Sequence, residues 1–131
     1  MDNTKDLPGY KYYVDPRTKE RPQIYVAFVD LAQDEDASVE GVVFPVTAEG
    51  LDELDARERN YRRQQVEVDP PTGGTTYAYI GTRDARTRFQ QGRDANTVFV
   101  ARAYLATLPD ATAAPPLAIR DLERVDLPPL D

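Results

Sequence analysis

The sequence contains neither cysteine nor histidine. Disulfide bonds, zinc sites built from Cys and His, cysteine nucleophiles and histidine-based catalytic triads are therefore excluded. Any acid–base chemistry must be carried by Glu, Asp, Tyr or Lys side chains. Carboxylates and phenols thus become the first candidates for a functional site.

Long apolar runs and an excess of basic residues are also missing. No window approaches the roughly 18 to 20 apolar residues of a membrane span, and the first ten residues lack a basic region followed by an apolar one. The formal net charge is −7, from 23 acidic and 16 basic side chains, and an acidic surface repels phosphate backbones and anionic lipids. We expect a soluble, cytoplasmic protein that binds neither nucleic acid nor membranes.

A length of 131 residues with 40% hydrophobic positions suits one globular domain with its own core. We expect residues 1–131 to form a single domain, with a core region over about 7–108 and a Pro-rich tail over 109–131. The first ordered element is predicted to begin near Gly9, which follows a Leu-Pro turn signal.

The central region alternates predicted strands and helices. Segments rich in β-branched and aromatic residues predict strands at 10–14, 23–31 and 39–46, and a hairpin of 61–68 with 75–80. Pro45 marks the third strand as an edge or as a strand end. A short helix is predicted from Thr82 to near Gly92, followed by a second helix over 96–108.

One predicted helix combines an apolar face with a carboxylate. It begins at an N-cap, Thr47, and runs to about residue 60. Helical spacing places four residues on one stripe: Leu51, Leu54, Glu58 and Tyr61. Glu58 is either turned aside into an ion pair, with Arg62 four residues away, or held against the core. Desolvation in a core makes a carboxyl group a usable acid or base.

Five motifs occur in the order known from one protein family. They are Gly41-Val-Val-Phe-Pro-Val46 with Thr47, Leu54-Asp-Ala-Arg-Glu58, Tyr61-x-Arg63-x-x-Val66-x-Val68, Tyr77-Ala-Tyr-Ile-Gly81 and the Ala-Arg-Ala-Tyr104 helix. Over about residues 7–108 the chain resembles the γ-glutamylcyclotransferase-like family. The resemblance implies an α+β fold, a small mixed β-barrel with flanking helices. It also implies that Glu58 is the general acid/base and that Tyr61 and Tyr104 bind the substrate.

The resemblance further implies a reaction that needs no metal and no cofactor. In this family the α-amine of a γ-glutamyl group attacks its own γ-carbonyl, which closes 5-oxoproline and expels an amine. Glu58 would take a proton from the α-ammonium and give one to the leaving nitrogen. The implied partner is a small-molecule γ-glutamyl amine or peptide.

Two departures from the family pattern concern the candidate site. The sequence has no counterpart of the Tyr-Gly-Ser loop whose N–H groups hold the substrate carboxylate, and Ala101 replaces a serine three residues before Tyr104. The alternative function is therefore a catalytically degenerate domain of the same fold that binds a small molecule or a protein. Loss of the strand that carries the loop leaves a neighbouring barrel strand unpaired, so we expect a homo-oligomer or a partner's strand at this edge.

Overall fold

The computed structural model describes residues 1–108 and 117–130, which contain both helices and strands. In chain order the elements are β1 (Lys11–Val14), β2 (Tyr25–Val26), α1 (Ala48–Arg57), β3 (Tyr61–Val66), β4 (Thr76–Gly81), α2 (Arg83–Asp94), β5 (Val98–Ala101), α3 (Arg102–Leu105), β6 (Ala118–Arg120) and β7 (Glu123–Asp126). The strands form three small sheets, β1–β7, β2–β5–β6 and β3–β4. Helices and strands are thus mixed, as the resemblance implies. No closed barrel is formed by the described residues, and the barrel stays a prediction.

The chain forms two compact units. Met1–Phe28 together with Asp84–Asp131 make up the first unit, and Val29–Arg83 make up the second. The second unit contains α1 and the β3–β4 hairpin, whereas the remaining strands belong to the first. The organisation of the whole chain as a single domain stays a prediction. Among the helices of the described ranges, none is long and apolar enough to cross a membrane.

The sheets of the first unit join segments from the two ends of the chain. β1 pairs antiparallel with β7, so that Tyr12 lies opposite Val125, and β6 runs parallel to β5. The buried core cluster consists of Tyr13, Ile24, Val26, Ala101 and Leu122. The part of the predicted tail that follows residue 117 therefore contributes two strands and a core residue. The Pro-rich stretch 109–116 lies outside the described residues.

Asn3 is fully buried, and its side chain connects the first residues of the chain to the rest of the first unit. Its side-chain nitrogen donates to the backbone carbonyls of Tyr13 and Pro22, at 2.9 Å in each case. Its Oδ1 accepts from the Tyr13 N–H at 2.7 Å. These bonds hold the first residues in place, while the first strand, β1, begins at Lys11, close to the start near Gly9 that was predicted for the first ordered element.

The amino group of Met1 is enclosed as well, and it donates to the Val26 carbonyl at 3.0 Å. Burial, followed by the positive charge of Arg88, lowers the pKa of this amine from 8.0 to about 6. Between these values the unfolded chain binds more protons than the folded chain. A polypeptide that begins at Met1 is therefore expected to become more stable as the pH rises from about 6 to 8.

The expected gain in unfolding free energy is at most about 2.7 kcal/mol, since each pKa unit corresponds to about 1.4 kcal/mol. Histidine and cysteine are absent from the sequence, so no side chain with an ordinary pKa titrates in the same window. Urea unfolding at the two ends of this pH range measures the gain. Acetylation of the Met1 amine is the control, because it removes the titrating group and should abolish the pH dependence. Equal stability of the unmodified chain at both pH values would contradict the prediction.

Three predicted elements differ from the structure. The strand predicted over 23–31 is reduced to β2, and residues 39–46 belong to no helix or strand. The helix predicted over 96–108 is replaced by β5 and the single turn of α3. The reason for the last difference is sheet pairing, because β5 lies between β2 and β6 and is parallel to both. The branched side chains of Val98 and Val100 suit such a central strand.

Gly92 of α2 packs against two residues of the neighbouring sheet. A Cβ atom at this position would lie 2.6 Å from Cγ2 of Val98 and 2.7 Å from Cδ2 of Tyr25. Alanine favours a helix over glycine by about 1 kcal/mol, but overpacking a core costs about 1–3 kcal/mol. We therefore expect Gly92→Ala to lower the unfolding free energy by about 1–2 kcal/mol in denaturant titrations.

The matched control for this variant is Gly74→Ala, since a Cβ atom at Gly74 meets nothing within 4 Å. Its effect on the unfolding free energy should stay below about 0.5 kcal/mol. Unchanged or increased stability of Gly92→Ala would show that Val98 and Tyr25 can move aside without cost.

The helix and the hairpin predicted within the second unit are confirmed. Thr47 is the N-cap of α1, and its Oγ1 accepts from the Gly50 N–H at 3.0 Å. The predicted hairpin is present, with β3 and β4 antiparallel and Tyr61 opposite Gly81. The helix ends at Arg57, earlier than predicted.

Candidate functional site

Glu58 is the C-cap residue of α1. Its backbone N–H donates to the Leu54 carbonyl at 2.9 Å, so the residue is fixed to the last turn of the helix. Its side chain is 29% exposed, and Oε1 lies 3.4 Å from Nη2 of Arg57. The carboxylate is thus partly enclosed but reachable from solvent, and its partner is Arg57 rather than the predicted Arg62.

Tyr61 lies in β3 and not on the helix, so the predicted four-residue stripe does not form. The Tyr61 N–H donates to the Glu58 carbonyl at 3.1 Å, which brings the two residues together through the backbone. The Tyr61 hydroxyl donates to the Val29 carbonyl at 2.6 Å. Its phenol therefore anchors the start of the segment that leads to α1.

A polar network joins α1 to both strands of the hairpin. The Tyr79 hydroxyl donates to Oδ1 of Asp55 at 2.6 Å, and Nη1 of Arg63 lies 3.5 Å from Oδ2 of the same carboxylate. Arg63 and Tyr79 lie opposite each other in the β3–β4 register. Asp55 precedes Glu58 by three residues, so this network fixes the turn of α1 that ends at Glu58.

The pKa of Tyr79 is raised from 10.0 to about 12. Desolvation is the main cause, followed by the hydrogen bond to Asp55 and by the negative charge of that carboxylate, and Glu58 acts in the same direction. The phenol is therefore held protonated, and it lies within the electrostatic influence of Glu58. Sequence reasoning missed this network, although the hairpin register alone would have placed Arg63 opposite Tyr79.

A second carboxylate is held at the end of the hairpin where Tyr61 and Gly81 are paired. The Gly81 N–H donates to Oδ1 of Asp30 at 2.7 Å. A Cβ atom on Gly81 would lie only 2.6 Å from Oδ2 of Asp30, so any other residue here would displace the Asp30 carboxylate. Nothing in the sequence pattern indicated this contact, because the two residues are distant along the chain.

Tyr104 lies on α3 in the first unit. Its ring packs against the core cluster and meets the ring of Phe28 edge-on, with centroids 5.0 Å apart and planes at 73°. The ring of Tyr104 therefore contributes to the packing of the core. Its assignment as a substrate-binding residue stays a prediction.

A family model supplies the observation that identifies the chain. The model described as gamma-glutamyl cyclotransferase, AIG2-like, matches residues 2–108. The chain belongs to this family. The matched region includes Glu58, Tyr61 and Tyr104, so the resemblance that was drawn from short motifs is confirmed at the level of the family. Comparisons with curated proteins and with solved structures give no match.

Proposed function

We propose that this protein releases 5-oxoproline from a γ-glutamyl amine or peptide, with Glu58 as the general acid/base. The observation that carries the proposal is the family match across residues 2–108, which contains Glu58 at the end of α1. A carboxylate that is partly enclosed but still reachable from solvent suits proton transfer to a bound substrate.

The chemistry requires two proton transfers. Glu58 takes a proton from the α-ammonium, which frees the nitrogen lone pair to form a bond with the γ-carbonyl carbon. This closes the five-membered ring, and the bond between that carbon and the leaving nitrogen then breaks. Two protons leave the α-nitrogen and two reach the leaving nitrogen, so the carboxylate of Glu58 returns to its starting state.

The surroundings of Glu58 support this role. The Arg57 guanidinium lies 3.4 Å from the carboxylate and orients it. The hydrogen bond from Tyr79 to Asp55 holds the last turns of α1 on the hairpin, so Glu58 does not depend on a flexible loop for its position. Tyr61 and Tyr104 are proposed to bind the substrate.

The test uses the purified full chain with a panel of γ-glutamyl amino acids, γ-glutamyl amines and γ-glutamyl peptides. Mass spectrometry then measures 5-oxoproline. Turnover of at least one class is expected. The α-glutamyl isomers are the control, because they carry the amide on the wrong carbonyl and should release no 5-oxoproline. If no compound of the panel yields 5-oxoproline, the proposed reaction is wrong.

A binding function without turnover is the second candidate. The observation that favours it is the set of exposed apolar side chains between Val39 and Val46, which are suited to contact another molecule. This alternative predicts that no compound of the panel is turned over. A cytoplasmic location stays a prediction under either function.

A further inference from the structure

The helix that ends next to Glu58 has little apolar anchoring. Among the ten described residues of α1, none is buried, and its two leucines, Leu51 and Leu54, are only partly buried. Apolar packing fixes a helix through side chains that are enclosed by many neighbours. The position of the last turn of α1, and with it the position of Glu58, therefore depends on polar contacts.

We propose that Tyr79 is a positioning residue that holds Glu58 in place through Asp55. The Tyr79 hydroxyl donates to Oδ1 of Asp55 at 2.6 Å. Asp55 follows Leu54, whose carbonyl accepts from the Glu58 N–H at 2.9 Å. The inference rests on the proposed function, since Tyr79 acts on the reaction through the general acid/base and does not itself touch the substrate.

The hydrogen bond from Tyr79 is the stronger of the two contacts that Asp55 makes with the hairpin. A hydroxyl that lies about 2.5–2.7 Å from a carboxylate makes a charge-assisted bond, about twice as strong as a bond between neutral groups. Nη1 of Arg63 lies farther away, at 3.5 Å from Oδ2, and the side chains of Arg63 and Asp55 are 31% and 38% exposed. Ion pairs that are open to solvent contribute little. Tyr79 therefore carries most of the anchoring.

The anchor is available throughout the pH range in which the reaction can be assayed. Desolvation and the hydrogen bond to Asp55 raise the pKa of Tyr79 to about 12, so its hydroxyl keeps the proton that it donates. Tyr79 belongs to β4, where it lies opposite Arg63 in the hairpin register. A donor on a paired strand holds its acceptor more precisely than a donor on a loop does.

The first test needs no turnover. Hydrogen exchange of the Glu58 amide in the full chain reports opening of the last turn of α1, because this amide is bonded to the Leu54 carbonyl. Tyr79→Phe is expected to accelerate the exchange at least about fivefold. An unchanged exchange rate would overturn the proposal. If no compound of the panel is turned over, the proposed reaction fails, but the exchange rate still decides whether Tyr79 fixes this turn.

The second test separates positioning from substrate binding. Tyr79→Phe is expected to lower kcat for the best γ-glutamyl compound about 10–100-fold and to leave KM within about threefold of wild type. The reason is that a displaced carboxylate impairs proton transfer more than it impairs binding. A raised KM with an unchanged kcat would overturn the proposal, because the hydroxyl would then bind the substrate directly.

Tyr77→Phe is the matched control. It makes the same chemical change two residues earlier in β4, on the same face of the hairpin. The ring is 42% exposed, and the phenyl group that remains can still stack on Arg63, whose guanidinium carbon lies 4.8 Å from the ring centroid. This variant should keep kcat and the exchange rate of the Glu58 amide within about twofold of wild type. Equal effects of the two substitutions would contradict a specific role of Tyr79.

A double-mutant cycle tests whether Tyr79 acts through Asp55. Asp55→Ala removes the acceptor of the same hydrogen bond and should also lower kcat. If both residues act through this bond, adding Tyr79→Phe to Asp55→Ala should change kcat by less than about threefold. Circular dichroism of each variant verifies that α1 is still folded. Effects on kcat that multiply would show that the two side chains act independently, and the proposal would be wrong.

Discussion

Glu58→Gln is expected to lower the rate of 5-oxoproline formation by about 10²–10⁴-fold. Glutamine preserves the size of the side chain but can neither take a proton from the α-ammonium nor return one to the leaving nitrogen. The loss should appear in kcat more than in KM, because proton transfer stabilises the transition state and not the bound substrate. Steady-state kinetics with the best γ-glutamyl compound of the panel measure both constants.

Glu53→Gln is the matched control for this variant. It makes the same chemical change on the same helix, at an exposed position, and should leave kcat unchanged. Circular dichroism of both variants verifies that α1 remains folded. If Glu58→Gln turned over substrate at the wild-type rate, Glu58 would not be the general acid/base, although the protein would still catalyse the reaction.

Asn3→Ala is expected to lower the unfolding free energy by about 3–5 kcal/mol. The substitution removes the hydrogen bonds to the carbonyls of Tyr13 and Pro22 and from the Tyr13 N–H; the two bonds with Tyr13 are buried, and the bond to Pro22 is partly buried. Each buried group that loses its partner costs about 1–3 kcal/mol. A loss of this size is a large part of the total stability of a small domain, which is about 5–15 kcal/mol.

Asn3→Asp separates the contribution of the donors from that of the acceptor. The aspartate can still accept from the Tyr13 N–H, but its second oxygen would face the carbonyls of Tyr13 and Pro22, so destabilisation is expected here too. Gln65→Ala is the control, since this amide is exposed, and it should change the unfolding free energy by less than about 0.5 kcal/mol. Urea midpoints measure all three variants. A cost below about 1 kcal/mol for Asn3→Ala would show that water replaces the lost bonds.

Within the second unit, α1 and the β3–β4 hairpin could be predicted from the sequence because their signals are local. The cap at Thr47 lies next to the helix that it starts, and only residues 67–75 separate the two strands of the hairpin. In the first unit, the sheet of β2, β5 and β6 could not be predicted in the same way. Residues 98–101 fit a helical stripe as well as a strand, and the choice is made by β2 and β6, which are distant along the chain.

The same distinction applies to the candidate site. The position of Glu58 near the end of a helix followed from local spacing, whereas its ion-pair partner did not. The prediction of Arg62 assumed that the helix continues, but α1 ends one residue before Glu58 and the four-residue spacing no longer brings the side chains together. Asp55 contacts Arg63 and Tyr79 because the hairpin folds onto α1, which no periodicity in the sequence encodes.

The pairing of β1 with β7 has a consequence for biosynthesis. Lys11 pairs with Asp126, so a strand that leaves the ribosome early waits until β7, which is far along the chain, has been translated. The second unit is continuous in sequence and can fold during this interval. Until β7 emerges, nascent or misfolded chains can pair with β1 in its place. Premature termination before Glu123 would leave this edge open permanently, so truncated products are the species most prone to aggregate.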